Sequence, residues 1–162
     1  MPARAKILAL PQLVAQVRAW QAAGDTVVFA NGCFDLLHVG HVRYLQAAAA
    51  LGARLVVALN SDASARRLKG PGRPVASELA RAEVVAAVRG VSAVVVFDEP
   101  TVEPLLRALR PAIHAKGTDY TPATVPEAAV AAELGIQVRI AGDPKRHSSA
   151  ELLRRLRPGA GC

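Results

Sequence analysis

Short runs of β-branched and other apolar residues, VVFA at 27–30, LVVAL at 55–59 and VVVF at 94–97, alternate with amphipathic stretches along almost the whole chain. Each run is apolar throughout, as a strand must be when both faces of its sheet are covered. Strands that alternate with helix-length segments are joined by crossovers and lie parallel. The reading is therefore an α/β fold with a doubly wound, parallel, five-stranded sheet. Strands are expected at 26–30, 54–59, 93–97, 112–115 and 136–140, and helices at 39–51, 77–88, 101–109 and 126–134, with a last helix opening near Ser148. A leading helix is expected at 11–23, with Pro11 in its first turn and Gly24 beyond its end. No repeat, linker or low-complexity tract divides the sequence, so residues 1–162 read as one domain with a core at 26–157.

In a doubly wound sheet, ligands collect beyond the carboxyl ends of the strands, where successive connections part to opposite faces. Four such ends carry unusual polar chemistry: 31–41, 60–73, 116–120 and 142–149. The first reads NGCFDLLHVGH and runs from a buried strand into a helix. Gly32 lets the backbone approach a ligand, and the helix start offers unpaired N–H groups and the positive end of its dipole to phosphate oxygens. His38 and His41, on the first helical turn, share a face and can donate to one phosphate. Gly40 between them removes a side chain that would crowd that phosphate. A histidine that only caps the helix, or fills space beneath a loop, is the bland alternative; it suits one isolated histidine better than this pair. Gly32, Gly40 and the two histidines are therefore read as a phosphate-binding set. Cys33 is read as a space-filler rather than a nucleophile, because no base neighbours it in sequence. Asp35 either fixes the loop through main-chain hydrogen bonds or touches substrate.

The other three segments supply cations, an acid and a capped helix. Lys69 and Arg73 flank Gly70, Pro71 and Gly72. A loop rich in Gly and Pro can hold both cations toward a cleft, where they neutralise phosphate; a solvated basic loop is the alternative. KGTDY at 116–120 offers Gly117 for close backbone approach, Asp119 for the nucleoside end, Tyr120 as a ring at the pocket edge and Lys116 for substrate. Gly-Thr-Asp is also ordinary turn chemistry. In GDPKRHSSAELLRRL at 142–156, Ser148 or Ser149 caps a helix with Leu152, Leu153 and Leu156 inward. Its start, beside Lys145 and Arg146, is a second anion site.

A formal charge of +7 and an isoelectric point near 10.2 favour an anionic partner. Scattered arginines and an aromatic content of 4% leave no basic stretch interleaved with stacking rings, so small phosphates rank above nucleic acid. No apolar run approaches a membrane span, and the opening MPARAKILALPQLVAQ lacks the apolar centre of a secretory signal. A cytoplasmic protein with no membrane partner is expected. Cys33 and Cys162, the two cysteines, imply neither a disulfide framework nor a metal cluster.

HVGH at 38–41 resembles the HxGH signature of the nucleotidyltransferase superfamily that contains cytidylyltransferases, pantetheine-phosphate adenylyltransferase and class I aminoacyl-tRNA synthetases. A longer pattern, residues 27–45 with LNSD, LKGPGRPV and KGTDY, is similar to heptose 1-phosphate adenylyltransferases over residues 10–157. The resemblance implies a Rossmann-like nucleotidyltransferase fold and transfer of AMP from ATP to a heptose 1-phosphate, with release of pyrophosphate. It also implies Mg²⁺ as the companion of ATP, without a dedicated protein cage, and leaves a homodimer open. It makes Lys69 a triphosphate-contacting catalytic group beside His38 and His41, and puts Arg81 near the active site, where it joins Asp35, Arg73 and Lys116 as a substrate-binding group. The nucleotide-binding set that it implies is Asn31, Gly32, Cys33, Phe34, His38, Gly40, His41, Lys69, Gly117, Asp119, Arg146, Ser148 and Ser149. Leu79 and Ala80 stand where the family carries an acidic residue and a glutamine, Thr118 where it has a second glycine, and Ala150 where it has a hydroxyl. Those departures motivate one rival, a nucleotide-binding module without turnover. A cytidylyltransferase for glycerol 3-phosphate or another alcohol phosphate is the second, and a basic nucleic-acid binder the least favoured.

Overall fold

The apolar runs become β1 (Val27–Gly32), β2 (Arg54–Asn60), β3 (Val91–Phe97), β4 (Ile113–Lys116) and β5 (Gln137–Ile140) in a computed structural model that describes residues 1–144 and 146–156. Lys145, Cys162 and the last residue of the expected core lie outside the described residues. All neighbouring strands pair in parallel, in the order β3-β2-β1-β4-β5. Val28 of β1 sits between Leu55 of β2 and Ile113 of β4, and Ala30 between Val57 and Ala115. The chain winds outward from β1 to β3 and then returns past β1 to β4 and β5, so the switch point lies between β1 and β4.

Side chains of β1 alternate between two cores. Val27 and Phe29 pack with Leu13 and Val17 of α1 (Leu10–Ala22) and with Leu105 and Leu106 of α5 (Glu103–Leu109), beside α6 (Ala128–Leu134). Val28 and Ala30 pack with Leu45 of α2 (Val39–Ala49) and with Ala82 and Val85 of α4 (Glu78–Ala87). Both faces are therefore covered, as the uninterrupted apolar runs require. A short 3-10 turn (Ala3–Lys6) leads to Ile7, which bridges Val94 in parallel, and the Leu8 N–H reaches the Val94 carbonyl at 2.9 Å. That contact shields the outer edge of β3.

Several boundaries shift by one or two residues from the sequence reading, and three differences bear on the site. β1 runs on to Gly32, because Asn31 and Gly32, poor strand formers alone, pair with Ala58 and Leu59 of β2. Residues read as loop in the second polar segment form α3 (Asp62–Lys69), capped by Ser61, whose Oγ accepts the Ser64 N–H at 3.0 Å. Lys69 thus stands on the last turn of a helix rather than on the Gly/Pro loop. The final helix, α7 (Ser149–Leu156), does not turn its leucines into the core: among its described residues none is buried, and Leu156 is 75% exposed. Leu152 and Leu153 are only half-buried, so α7 lies at the periphery of the fold.

Candidate active site

β1 delivers the chain into a turn at Phe34, whose φ of 47° is unusual for a bulky residue. Gly32 makes room for it, since a Cβ there would lie 3.1 Å from the Phe34 ring. The buried ring in turn meets His41 edge-on, with centroids 5.3 Å apart.

His38 is the N-cap of α2. Its Nδ1 accepts the Gly40 N–H at 3.1 Å, while its own N–H donates to Nδ1 of His41 at 3.4 Å. An Nδ1 that accepts carries no proton, so in each neutral ring the proton sits on Nε2. The two rings stack with centroids 3.8 Å apart and planes 20° from parallel. Each ring of the stack thus carries one Nε2–H donor. Gly40 serves this stack directly: a Cβ there would approach Cε1 of His38 to 2.9 Å, so the crowding it avoids is with the histidine itself. Capping uses one nitrogen of each ring, and the capping and ligand readings of the pair are compatible.

Two adjoining hollows open at this rim. The first, about 720 Å³, is walled by the start of α2, the loop after β4 and the loop into α7; the second, about 460 Å³, by the end of β1, Lys116 and Tyr120. His41, Tyr44, Lys69, Arg73, Gly117, Asp119 and Ser149 line both. His38, Gly40, Arg146 and Ser148 line only the first, which also holds Arg43, Asp143 and His147, groups that sequence reasoning had not singled out. Asn31, Gly32, Cys33, Phe34, Asp35 and Lys116 line only the second. The residues assigned to one nucleotide are thus divided, with Asn31 to Phe34 opening on the other hollow.

Several expected ligand groups also support the walls. Asp35 is buried; its Oδ2 accepts from Arg73 Nε at 2.5 Å and its Oδ1 from the N–H groups of Val75 and Ala76 at 2.7 and 3.2 Å. Burial alone would raise its pKa, but the hydrogen bonds from Arg73 and the two main-chain groups outweigh it and hold the carboxyl below the usual carboxylate range. It anchors the 73–76 loop. Arg81, expected to bind substrate, lines neither hollow. Its buried guanidinium donates to the carbonyls of Cys33 at 2.5 Å and Ala76 at 3.0 Å and to Asp62 Oδ1 at 2.8 Å, clamping α3 and α4 to the end of β1. Burial pushes the Cys33 thiol up despite the cations around it, so it is not poised as a thiolate.

At the mouth of α7, Ser148 is the capping residue: its Oγ accepts the Glu151 N–H at 3.1 Å. Ser149 donates its hydroxyl to the Leu36 carbonyl at 3.2 Å and so ties α7 to the loop after β1. Thr118 donates to the Asp143 carbonyl at 2.9 Å, and Arg43 pairs with Asp143 at 3.2 Å, joining two walls of the first hollow.

A doubly wound sheet whose switch point carries a His-x-Gly-His helix start and a rim of cations defines a nucleotidyltransferase domain. The chain belongs to the cytidylyltransferase-like family, whose model matches residues 29–155. It is 46% identical over 151 residues to the bifunctional protein HldE of Methylobacillus flagellatus, covering 93% of this chain and 31% of that protein. Against the bifunctional protein HldE of Syntrophotalea carbinolica it is 64% identical over 102 residues, 63% of this chain and 21% of that one. The chain thus spans less than a third of the length of these curated relatives. Among solved structures it resembles the lipopolysaccharide core biosynthesis protein from Thermoplasma volcanium GSS1, with a TM-score of 0.62 and 28% identity, covering 76% of this chain and 100% of that one. Among the described residues no helix is long and apolar enough to cross a membrane.

Proposed function

We propose that this chain is a cytoplasmic heptose 1-phosphate adenylyltransferase, moving AMP from ATP to the phosphate of a heptose 1-phosphate with release of pyrophosphate. The observation that carries the reading is the stacked histidine pair, with two Nε2–H donors, beside Lys69 and Arg73 where the two hollows meet. Two phosphate-bearing substrates that must react with each other need such a shared cationic wall. The likeness to HldE proteins and to a lipopolysaccharide core protein supports the sugar phosphate as acceptor.

ATP takes the first hollow, its phosphates toward the starts of α2 and α7, and the acceptor takes the second. An oxygen of the acceptor phosphate attacks the α-phosphorus in line. The bond from that phosphorus to the bridging oxygen breaks, and pyrophosphate leaves with the electron pair. His38 and His41 donate to the α-phosphate as charge builds on it, Lys69 and Arg146 offset the triphosphate, and Arg73 and Lys116 hold the acceptor. Ser148 donates its hydroxyl to phosphate, while Ser149 contributes its helix-start N–H. Asp119 serves the nucleoside end. No protein nucleophile is needed, and Tyr44, whose hydroxyl donates to the Ala115 carbonyl at 2.8 Å, is not placed as a base. Asp143 gives the first hollow a hard oxygen donor of the kind Mg²⁺ accepts beside phosphate and water, and the ion, when bound, would offset phosphate charge.

Incubation with Mg²⁺, each nucleoside triphosphate and a panel of heptose 1-phosphate, other sugar 1-phosphates and glycerol 3-phosphate, read by product mass, tests this. ADP-heptose from ATP and heptose 1-phosphate is the expected product. CDP-glycerol from CTP would make the chain a cytidylyltransferase, and binding without any product would make it a sensor.

A further inference from the structure

Beneath the second hollow, three polar side chains from adjacent strands fix one another's orientation. Asn31 Oδ1 faces both His114 Nε2 at 3.0 Å and Lys116 Nζ at 3.5 Å. An ammonium group only donates, so the Asn31 atom turned toward it is the carbonyl oxygen. That oxygen, in turn, makes His114 Nε2 a donor and leaves the lone pair on Nδ1. His114 is fully buried, Phe29 meets it edge-on at 5.4 Å, and its Nδ1 has no hydrogen-bond partner among the described residues. A buried acceptor left unpaired destabilises a fold, and an apolar side chain of similar shape would avoid that cost. The sheet tolerates it here, and what the imidazole supplies in return is the second lock on Asn31. With Oδ1 held from below by two donors, Nδ2 is the polar end of Asn31 that remains for the hollow it lines. Lys116, paired at 3.5 Å with the buried Glu127, presents a cation to the same hollow.

We infer that Asn31 is a specificity-determining residue for the acceptor, donating its Nδ2 hydrogens to an oxygen of the sugar phosphate, and that His114 is a positioning residue that keeps the Asn31 amide from flipping. The inference rests on the second hollow being the acceptor site, as proposed above. It moves Asn31 away from the nucleotide, where the family resemblance had placed it.

The test measures pyrophosphate release by the full chain, varying heptose 1-phosphate at saturating ATP and then the reverse, with a melting curve for each variant. Asn31→Asp replaces the two donated hydrogens by an acceptor and should raise KM for heptose 1-phosphate about tenfold or more, with KM for ATP within about twofold of wild type. His114→Leu removes the lock without adding charge and should raise the same KM by roughly threefold to tenfold, and His114→Gln, which restores an N–H donor, should bring it back to within about twofold. A shift in KM for ATP instead, or a His114→Leu enzyme with wild-type constants, overturns the inference. So does a His114→Gln enzyme as impaired as the leucine variant. A wild-type chain that releases no pyrophosphate from any pair refutes the proposed function, a separate outcome. In that event calorimetric titration with heptose 1-phosphate still decides: equal binding by wild type and Asn31→Asp overturns the assignment of Asn31.

Discussion

His38 and His41 each spend Nδ1 on the turn that holds them, and in the proposed reaction Nε2 of each meets the α-phosphate. His41→Ala should therefore leave the protein folded, while the loss of a donor aimed at charge that develops only in the transition state lowers kcat by roughly a hundredfold or more. Pyrophosphate release read beside a melting curve checks both halves; near-normal kcat in a folded variant excludes the role. Gly40 makes a sharper case, because two effects oppose each other there. Elsewhere within a helix, Gly→Ala stabilises by about 1 kcal/mol. Here the new methyl would sit 2.9 Å from the His38 ring and push it out of the stack. Gly40→Ala should lower kcat by about tenfold or more whatever it does to the melting temperature, and an unchanged kcat would mean that the stack is dispensable.

At the scale of elements, α2 and α7 both open on the first hollow but differ in how the fold holds them. α2 is pinned through Leu45 and Ala48, both fully buried, whereas α7 buries no side chain among its described residues. Leu45→Ala should cost about 2–5 kcal/mol in denaturant unfolding. Ser148→Ala, which removes the α7 cap, costs about 1 kcal/mol of local helix stability. Because α7 buries no side chain among its described residues, and the Ser148 hydroxyl also donates to phosphate in the proposed complex, the change should show as a raised KM for ATP and faster amide exchange in 149–156, with the global midpoint unmoved. A midpoint that falls as far as in Leu45→Ala would show that α7 is integral to the core. The two helices also mark what the sequence could convey. Runs such as LVVAL declare a strand covered on both faces, and HVGH after such a strand declares a helix start at a sheet rim, so the sheet, its winding and the histidine pair were legible. α3 was not, because its eight residues carry only Ala63, Ala65 and Leu68 as apolar markers and Leu68 is 63% exposed. The leucines of α7 have the right spacing, but periodicity cannot tell whether a core face is still vacant. Residues joined across long separations were the least legible: Arg81 contacts Cys33 from 48 positions away, and His114 contacts Asn31 from 83. A lone arginine on a helix, or a histidine inside a strand, gives no hint of such a partner.

The molecule as a whole should lose stability in acid, with His114 contributing between neutrality and pH 4. Burial first, and the nearby charge of Lys116 second, push its pKa down to about 3 from the ordinary 6.5. Below pH 6.5 the unfolded chain binds a proton there that the folded chain refuses, so stability falls as pH drops, by up to about 1.4 kcal/mol per unit. Asp35 acts in the same direction but only in stronger acid. Its depressed pKa gives a contribution that is full above the unfolded value of 3.8 and is lost as pH falls through the folded one. Urea midpoints from pH 7 to 4 should therefore decline, and His114→Leu should flatten the decline; a slope unchanged in that variant contradicts the assignment. The proposed reaction needs a polyphosphate seated against two imidazoles at the switch point of the sheet. A crystal structure with α,β-methylene-ATP measures this most directly. The account predicts the α-phosphate about 3 Å from Nε2 of both His38 and His41, with the nucleoside toward residues 117–119, and a triphosphate bound elsewhere, or turned so that neither histidine reaches the α-phosphate, would contradict it.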